Sequence, residues 1–211
     1  MKQALSEQVE SMHASNILVE TREVFLHSFI GNVDEEPGVE YRMANAFVKN
    51  MRFLESMGTD PITVHQHSIG GEWTEGMMVY DAISCCPARV VLVTHGISAS
   101  MGTIIAQAAD RVVTMPNCVW LIHEGSTGIH GGLTWRESKS WAQWEKLIVE
   151  QMMRIYVEAC RKGEYFSRKS ASQIRAHIVK QFDKKVDWIL TAAESVEYGF
   201  CDAIYENRES L

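Results

Sequence analysis

The segment "RVVLVTHG" (residues 89–96) constrains the fold of this 211-residue chain more than any other segment does. Its continuous apolar run is typical of a strand that is buried on both faces of a parallel sheet. Further strands are predicted on both sides of it, and helices are predicted between them. The other predicted strands are "REVFLHSFIG", "PITVHQH", "RVVTM" and "CVWLIH", and two predicted helices are "TEGMMVYDAISCC" and "SMGTIIAQAA".

A third helix is predicted between Pro37 and Gly58, because apolar residues recur at helical spacing over residues 41–54. Strands and helices therefore alternate over residues 22–123. This alternation predicts an α/β fold with repeated βαβ units and a mainly parallel sheet. No internal repeat or low-complexity linker divides the chain, so one domain is the simplest interpretation.

The second half of the chain predicts one unusually long helix. Residues 134–137, "TWRE", have the form of a capping box, and Gly163 is the expected stop. Apolar residues recur at helical steps between them, which predicts a helix of about 27 residues. We expect its apolar stripe, with Trp141 and Trp144, to project and pack against another subunit. The alternative is that the helix packs on the sheet of its own chain.

The composition of the chain indicates which binding partners are disfavoured and which cell compartment is expected. The formal net charge of −7 argues against a broad surface for nucleic acid or anionic membranes. No stretch approaches 18 apolar residues, and residues 1–18 are polar, lack a signal-peptide core and predict a flexible segment. The five cysteines are odd in number and contain no CxxC pair. They indicate free thiols in a reducing compartment, and thus a cytoplasmic protein.

The stretch "HGISASMG" (residues 95–102) lies where a predicted strand turns into a helix. Ser98 is expected in the turn, and Ser100 is expected at the helix entrance. There the free N–H groups of the first helical turn, that of Met101 among them, face outward and can stabilise an oxyanion. Ser100 is therefore the candidate nucleophile. Position alone favours the alternative role, in which Ser100 only caps the helix.

A serine nucleophile needs a base and a second oxyanion donor. "SIGG" (residues 68–71) ends the strand before, and the carboxyl ends of adjacent parallel strands form the binding crevice of an open sheet. His123 ends the strand "CVWLIH" and is the candidate base, whereas His95 precedes the turn on the serine's own strand. His65 and His67 share one strand face, but no third metal ligand is apparent near them.

Four segments together resemble the Clp protease proteolytic subunit family. "GISASMG", "MPNCVWLIHEG" and "LTAAESVEYGFCD" are similar to its three signature segments, and "HSIGGEWTEGMMVYDAI" is similar to its glycine-rich segment and following helix. The match runs in order over about residues 22–206. It implies a spiral of ββα units, as in the Clp protease and crotonase folds, over residues 19–211. It also implies an inserted handle, with its projecting helix, over about residues 124–163.

Carried over by position, the resemblance implies a Ser-His-Asp triad made of Ser100, His123 and Asp187. It implies that the backbone N–H groups of Gly71 and Met101 form the oxyanion hole. The segment before Asp187 is about four residues longer than is usual in the family, so Asp183 is the alternative acid. The family usually has proline where Ile69 stands and asparagine where His67 stands.

The resemblance also implies a serine endopeptidase that acts on unfolded polypeptides inside an oligomeric chamber. The family forms rings of seven subunits that stack in pairs as a tetradecamer, and it works with an AAA+ ATPase unfoldase. No P-loop or GxGxxG occurs here, so the ATPase would be a separate chain, and no cofactor or metal is expected. The N-terminal segment does not resemble the axial loop of the family.

Three other functions are alternatives to the endopeptidase. A structural ring subunit with a misaligned triad is suggested by the altered "HSIGG" segment. A phage-type protease for capsid maturation would share the fold and the triad. An acyl-CoA enzyme of the crotonase type would have a related fold and oxyanion hole, but such an enzyme has no need of a Ser-His pair.

Overall fold

The computed structural model describes residues 2–26, 38–125 and 132–207. Within these ranges the chain has seven helices and eight strands, and a short 3₁₀ turn, Glu164–Phe166, follows the longest helix. The helices are α1 (Lys2–Ser15), α2 (Tyr41–Met57), α3 (Trp73–Ser84), α4 (Met101–Ala106), α5 (Trp135–Cys160), α6 (Ala171–Lys184) and α7 (Ala192–Glu197). The strands are β1 (Ile17–Leu18), β2 (Glu23–Leu26), β3 (Ile62–Ser68), β4 (Val90–Ala99), β5 (Arg111–Thr114), β6 (Val119–Ile122), β7 (Trp188–Leu190) and β8 (Ala203–Ile204).

The strands form one sheet in the order β1-β2-β3-β4-β5-β8, and β6 joins it by pairing with β4. On one side β4 has two successive partners, because residues 91–94 pair with β5 and residues 97–99 pair with β6. Pairing is parallel except between β1 and β2 and between β6 and β7. The predicted α/β fold with a mainly parallel sheet is confirmed.

A bulge interrupts the pairing of β3 with β4 near the carboxyl ends of both strands. Gln66 pairs with Thr94 but Ser68 pairs with Ser98, so β4 carries two more residues than β3 over this interval. Gly96, inside the bulge, has a φ of 61°, which glycine adopts at little cost. A bulge bends the strand that contains it. After this bend β4 leaves β5 and meets β6.

The helix predicted over residues 41–54 is α2, and its buried side follows the predicted spacing. Its buried residues are Met43, Ala44, Phe47, Met51 and Leu54. It begins after Glu40, whose carboxylate accepts a hydrogen bond from the Met43 N–H. The predicted start at Pro37 lies outside the described residues. The helix ends at Met57, just before Gly58, as expected.

The long helix of the second half is α5, which has 26 residues and opens with the predicted capping box. Its two halves have different surroundings. Residues buried in the core lie only in its second half, from Met152 to Cys160. In the first half Trp141 and Trp144 are each 42% exposed and Leu147 is 64% exposed. The first half therefore projects from the body, and only the second half packs on the chain's own core.

The segment before β2 has regular structure, since α1 is followed by β1, which pairs antiparallel with β2. The flexibility predicted for residues 1–18 stays a prediction. In the part of the chain that the structure describes, none of the helices combines the length and the hydrophobicity that a membrane span requires.

All five cysteines are free. Cys118, Cys160 and Cys201 are buried, and burial raises the pKa of each of these thiols. They are therefore neutral hydrophobic side chains in the core, as the cysteine pattern predicts. Cys85 differs from them because it is exposed at the end of α3.

Aromatic side chains pack α6 and β7 against the 3₁₀ turn that follows α5. His177 on α6 lies inside this group, with its ring centroid 5.2 Å from those of Tyr165 and Phe166 and 5.8 Å from that of Trp188. Burial lowers the pKa of His177, and the charges of Lys169 and Lys180 lower it further. The fold therefore favours a neutral His177.

This lowered pKa predicts a loss of stability in acid. The unfolded chain protonates His177 first as the pH falls through the ordinary value of 6.5, so the free energy of unfolding decreases below that pH. The variant His177→Phe, which has no titrating ring, should lose less of its melting temperature between pH 7.5 and pH 5.5 than the wild type does. His13→Phe, at an exposed position on α1, is the control. Equal losses in the wild type and His177→Phe would contradict the prediction.

Candidate active site

Ser100 lies between the end of β4 and the start of α4, in a backbone conformation that is rare for a serine. Its φ is 50° and its ψ is −123°. A non-glycine residue at positive φ in this region is strained. Such a sharp turn from a strand to a helix exposes the serine hydroxyl at the end of the sheet. The geometry thus presents the Ser100 side chain in the way that a nucleophile requires.

Ser98 does not lie in the turn, which corrects the sequence prediction. It is a residue of β4, it is fully buried, and it pairs with Ser68 on one side and Trp120 on the other. The prediction was wrong because β4 continues beyond Gly96 instead of ending there. Since Ser98 is inside the sheet, its hydroxyl cannot act on a substrate.

Hydrogen bonds hold the backbone of Ser100 through both its N–H and its carbonyl. Its N–H donates to the Leu121 carbonyl of β6 at 2.8 Å. Its carbonyl accepts from the Thr103 N–H at 2.9 Å and from the Thr103 hydroxyl at 2.7 Å. The Thr103 hydroxyl also contacts the Tyr156 hydroxyl of α5 at 2.7 Å. These bonds stabilise the strained conformation and tie it to β6 and to the long helix.

His123 follows β6 directly and faces the hydroxyl of Ser100. The distance from His123 Nε2 to Ser100 Oγ is 2.7 Å, which is a short hydrogen bond. The Ser100 side chain makes no capping bond to α4. The hydroxyl therefore bonds to the histidine and does not cap the helix, which was the alternative role.

Asp187 lies just before β7, which pairs antiparallel with β6 and so carries this carboxylate toward His123. Asp187 Oδ1 is 3.4 Å from His123 Nδ1, and the aspartate side chain is 49% exposed. Asp183, the alternative acid, lies in α6 and is exposed. Of the two aspartates, Asp187 is the one that the structure pairs with His123.

The glycine turn after β3 packs directly against Ser100. A Cβ atom built on Gly70 would lie 2.5 Å from Ser100 Cβ, so only glycine fits there. Gly71 faces Val39, and the two hydrogen bonds of this bridge use the Gly70 carbonyl and the Glu72 N–H. The bridge therefore leaves out the Gly71 N–H.

Met101 supplies the first N–H of α4. The first N–H groups of a helix have no partner within the helix, and they carry partial positive charge. The side chain of Met101 is buried. Met101 can therefore contribute to the predicted oxyanion hole only through its backbone N–H.

The segment that carries Val39 was missed by sequence reasoning. Its signal in the sequence is weak because the pairing segment is a single bridge residue, Val39, beside Gly38. A Cβ atom on Gly38 would meet the Gly70 carbonyl at 2.6 Å, so this glycine lets the segment approach the turn closely. A glycine before a lone valine is the feature of the sequence that could have indicated it.

His65, His67 and His95 form a separate group on the half-buried face of the sheet. His65 Nδ1 is 3.1 Å from His95 Nε2, and His65 Nε2 is 2.9 Å from the carboxylate of Glu23. His67 Nδ1 instead contacts the backbone carbonyl of His95 at 3.0 Å. His65 thus contacts the His95 ring, whereas His67 contacts the His95 backbone. In the described parts of the chain, no group of three or more His, Cys, Asp or Glu residues could hold a metal ion.

The arrangement can activate a hydroxyl and stabilise an oxyanion. A neutral His123 can take the proton of Ser100, and a carboxylate beside its other nitrogen favours the imidazolium that forms. The glycine turn and the start of α4 place backbone N–H groups on the two sides of Ser100. A strained serine, a bonded histidine and flanking backbone donors at the ends of parallel strands are the arrangement expected of a serine hydrolase.

Comparisons with known proteins identify the kind of hydrolase. The model of the family described as Clp protease matches residues 6–208. The chain is 31% identical to an ATP-dependent Clp protease proteolytic subunit from Streptococcus mutans, over 81% of this chain and 82% of that protein. It is 31% identical to ATP-dependent Clp protease proteolytic subunit 2 from Pseudomonas aeruginosa, over 82% of this chain and 80% of that protein.

A solved structure shows the same fold. A mutant of ClpP1 from Listeria monocytogenes superposes with a TM-score of 0.71 and 26% identity, over 92% of this chain and 96% of that chain. The chain therefore belongs to the Clp protease family. The resemblance seen in the sequence, the fold class and the class of enzyme, a hydrolase that acts on peptide bonds, are confirmed.

The geometry predicts that the two aspartates behave differently. Asp187→Asn removes the charge that favours a protonated His123, so peptide cleavage should fall by about 10²- to 10⁴-fold. Asp183→Asn, the matched control on α6, should cleave within about twofold of wild type, since its exposed side chain is typical of surface sites. Both variants are measured with a short fluorogenic peptide. A large loss in Asp183→Asn together with full activity in Asp187→Asn would reverse the assignment.

Proposed function

We propose that this protein is a serine endopeptidase in which Ser100 is the nucleophile, His123 the general base and Asp187 the orienting acid. The observation that carries the proposal is the 2.7 Å hydrogen bond between Ser100 Oγ and His123 Nε2, made by a serine in a strained turn. A misaligned triad, the structural alternative, would need these two atoms out of hydrogen-bond reach. The distance therefore argues against a silent ring subunit.

The reaction begins when Ser100 Oγ attacks the carbonyl carbon of a peptide bond while its proton passes to His123 Nε2. The N–H groups of Gly71 and Met101 bind the oxyanion that forms. His123 then gives the proton to the leaving amine, and an acyl-enzyme remains on Ser100. A water molecule, deprotonated by His123, hydrolyses the ester and restores the serine. Asp187 keeps its negative charge throughout and stabilises the imidazolium.

The substrate that suits this site is an extended, unfolded polypeptide. The site lies at the ends of strands, and an extended chain can add to a strand edge through backbone hydrogen bonds. The short strand β7 beside His123 has an exposed residue, Ile189, at 57% exposure. Pairing through the backbone depends little on side chains, which accounts for a weak sequence preference.

The assembly we propose is a ring of seven subunits, stacked in pairs through α5. The exposed first half of that helix supports stacking, since Trp141 and Trp144 line a surface cavity of about 350 Å³ together with Ser140. An exposed apolar face of this kind is typical of a protein interface. Relatives of the chain are named as subunits of an ATP-dependent protease, so the unfoldase partner would be a separate ATPase chain. The cytoplasmic location stays a prediction.

The nucleophile is tested with a fluorophosphonate probe, which reacts with activated serines. Wild type should be labelled, and Ser100→Ala should not be labelled and should lose casein and peptide cleavage by about 10³- to 10⁶-fold. Ser98→Ala should still be labelled at the end point of the reaction, because the Ser98 hydroxyl is buried within β4 and is not the group that reacts. Labelling of Ser100→Ala equal to wild type would rule out Ser100 as the nucleophile.

The assembly is tested by native mass spectrometry. Trp144→Glu places a charge in the exposed apolar face of α5 and should shift paired rings to single rings, because burying an unpaired charge is costly. Lys146→Glu, at another exposed position of the same helix, adds negative charge outside the Trp141–Trp144 cavity and should leave the pairs intact. Unchanged pairs in Trp144→Glu would show that this face does not form the contact.

A further inference from the structure

Gln66 is a fully buried polar residue on β3, behind the candidate nucleophile. Its side-chain Nε2 donates to Ser98 Oγ at 3.0 Å and to the Gly102 carbonyl at 3.0 Å. These two acceptors lie two residues before and two residues after Ser100. One amide group therefore holds both sides of the strained turn.

The orientation of this amide is fixed by chemistry. A backbone carbonyl can only accept a hydrogen bond, so the NH₂ group of Gln66 must face Gly102. This orientation has a cost, because Gln66 Oε1 is buried and has no hydrogen-bond partner among the residues that the structure describes. An unmet buried acceptor destabilises a fold, whereas an apolar side chain of similar size would avoid that loss. The glutamine is therefore explained by the two bonds that it donates.

The position of Gln66 shows why those bonds matter. Regular pairing of β3 with β4 stops at Gln66 and Thr94, because the bulge follows. The turn at Ser100 lies beyond this bulge, where the ladder of backbone hydrogen bonds is broken. The Gln66 side chain spans the break and links β3 directly to the first turn of α4.

Contacts of Gly102 also connect the start of α4 to the glycine turn. Gly102 packs on Ser68, since a Cβ atom built on Gly102 would lie 2.9 Å from Ser68 Cβ. The Ser68 hydroxyl in turn accepts the Gly70 N–H at 3.1 Å. The start of α4 and the turn at Gly70, which flank Ser100, are thus held by neighbouring residues of β3.

We propose that Gln66 is a positioning residue for the hydrolysis reaction. By holding Ser98 and Gly102, it fixes the direction of Ser100 Oγ toward His123 and of the Met101 N–H toward the oxyanion. It contacts no substrate, because it is fully buried. The inference rests on the proposed role of Ser100 as the nucleophile.

The first test is Gln66→Met, which keeps the volume of the side chain and removes the donor. The kcat for a short peptide should fall about tenfold and the fluorophosphonate labelling rate should fall in parallel, with KM within about twofold of wild type. The melting temperature should equal or exceed that of wild type, since the unmet oxygen is gone. Lower activity with undiminished stability separates positioning from a merely structural role.

The control is Thr94→Val, the pairing partner of Gln66 on β4. Thr94 is equally buried, and its hydroxyl donates to the Thr114 hydroxyl at 3.0 Å, away from the turn. This variant should lower the melting temperature and leave kcat unchanged. If Gln66→Met is folded and reacts as fast as wild type, the proposal is wrong.

A second variant, Gln66→Glu, keeps the test decisive if Gln66→Met fails to fold. The carboxyl group that it introduces can donate to Gly102 only when protonated, and burial raises the pKa of a carboxyl group. The labelling rate of Gln66→Glu is compared with that of wild type at the same pH. The ratio of the two rates should be near one at pH 6 and should fall as the pH rises. A ratio that does not change with pH would overturn the proposal.

The two proposals fail in different ways. Labelling that persists in Ser100→Ala removes the nucleophile, and the role of Gln66 falls with it. Labelling that depends on Ser100 but not on Gln66 leaves the endopeptidase intact and removes only the positioning role.

Discussion

The pairing of β4 with three neighbouring strands is the constraint on which the site depends. Ser100 follows β4 itself, the glycine turn follows β3, and His123 follows β6. Because parallel strands end on the same edge of a sheet, groups that follow these strands meet at one place. The bulge at Gly96 is part of the same constraint, since it bends β4 away from β5 and toward β6. Without that bend, His123 and Ser100 would not end side by side.

The site also shows how a strained residue is maintained. A positive φ at a residue such as Ser100 costs about 1–3 kcal/mol. The hydrogen bonds from Leu121, Thr103 and Gln66 hold the segment so that it cannot relax into an ordinary helix start. They come from β6, from α4 and from β3, so the strain is offset by three separate elements. The Ser100 hydroxyl is therefore held within 2.7 Å of His123 Nε2 without a substrate.

Much of the fold followed from the sequence, because apolar periodicity and capping boxes are local signals. The two ends of α5 and the strands β3, β5 and β6 were predicted closely for this reason. The choice of Ser100 over a simple helix cap needed the family resemblance, since position alone favoured the cap. Ser98 was misplaced because Gly96 bends β4 without ending it. The hydrogen bonds of the Gln66 side chain had no local signal, as its partners lie 32 and 36 residues away.

The short strand β7 makes one part of the site less stable locally than the rest. It has three residues and, in the described part of the chain, pairs only with β6. Edge segments of this kind open locally at a lower free energy than central strands such as β4. Such an opening would withdraw Asp187 while Ser100 and His123 keep their places. The backbone amides of β7 would then exchange with deuterium sooner than those of β4, and the carboxylate would be the first part of the site to be lost and regained in thermal motion.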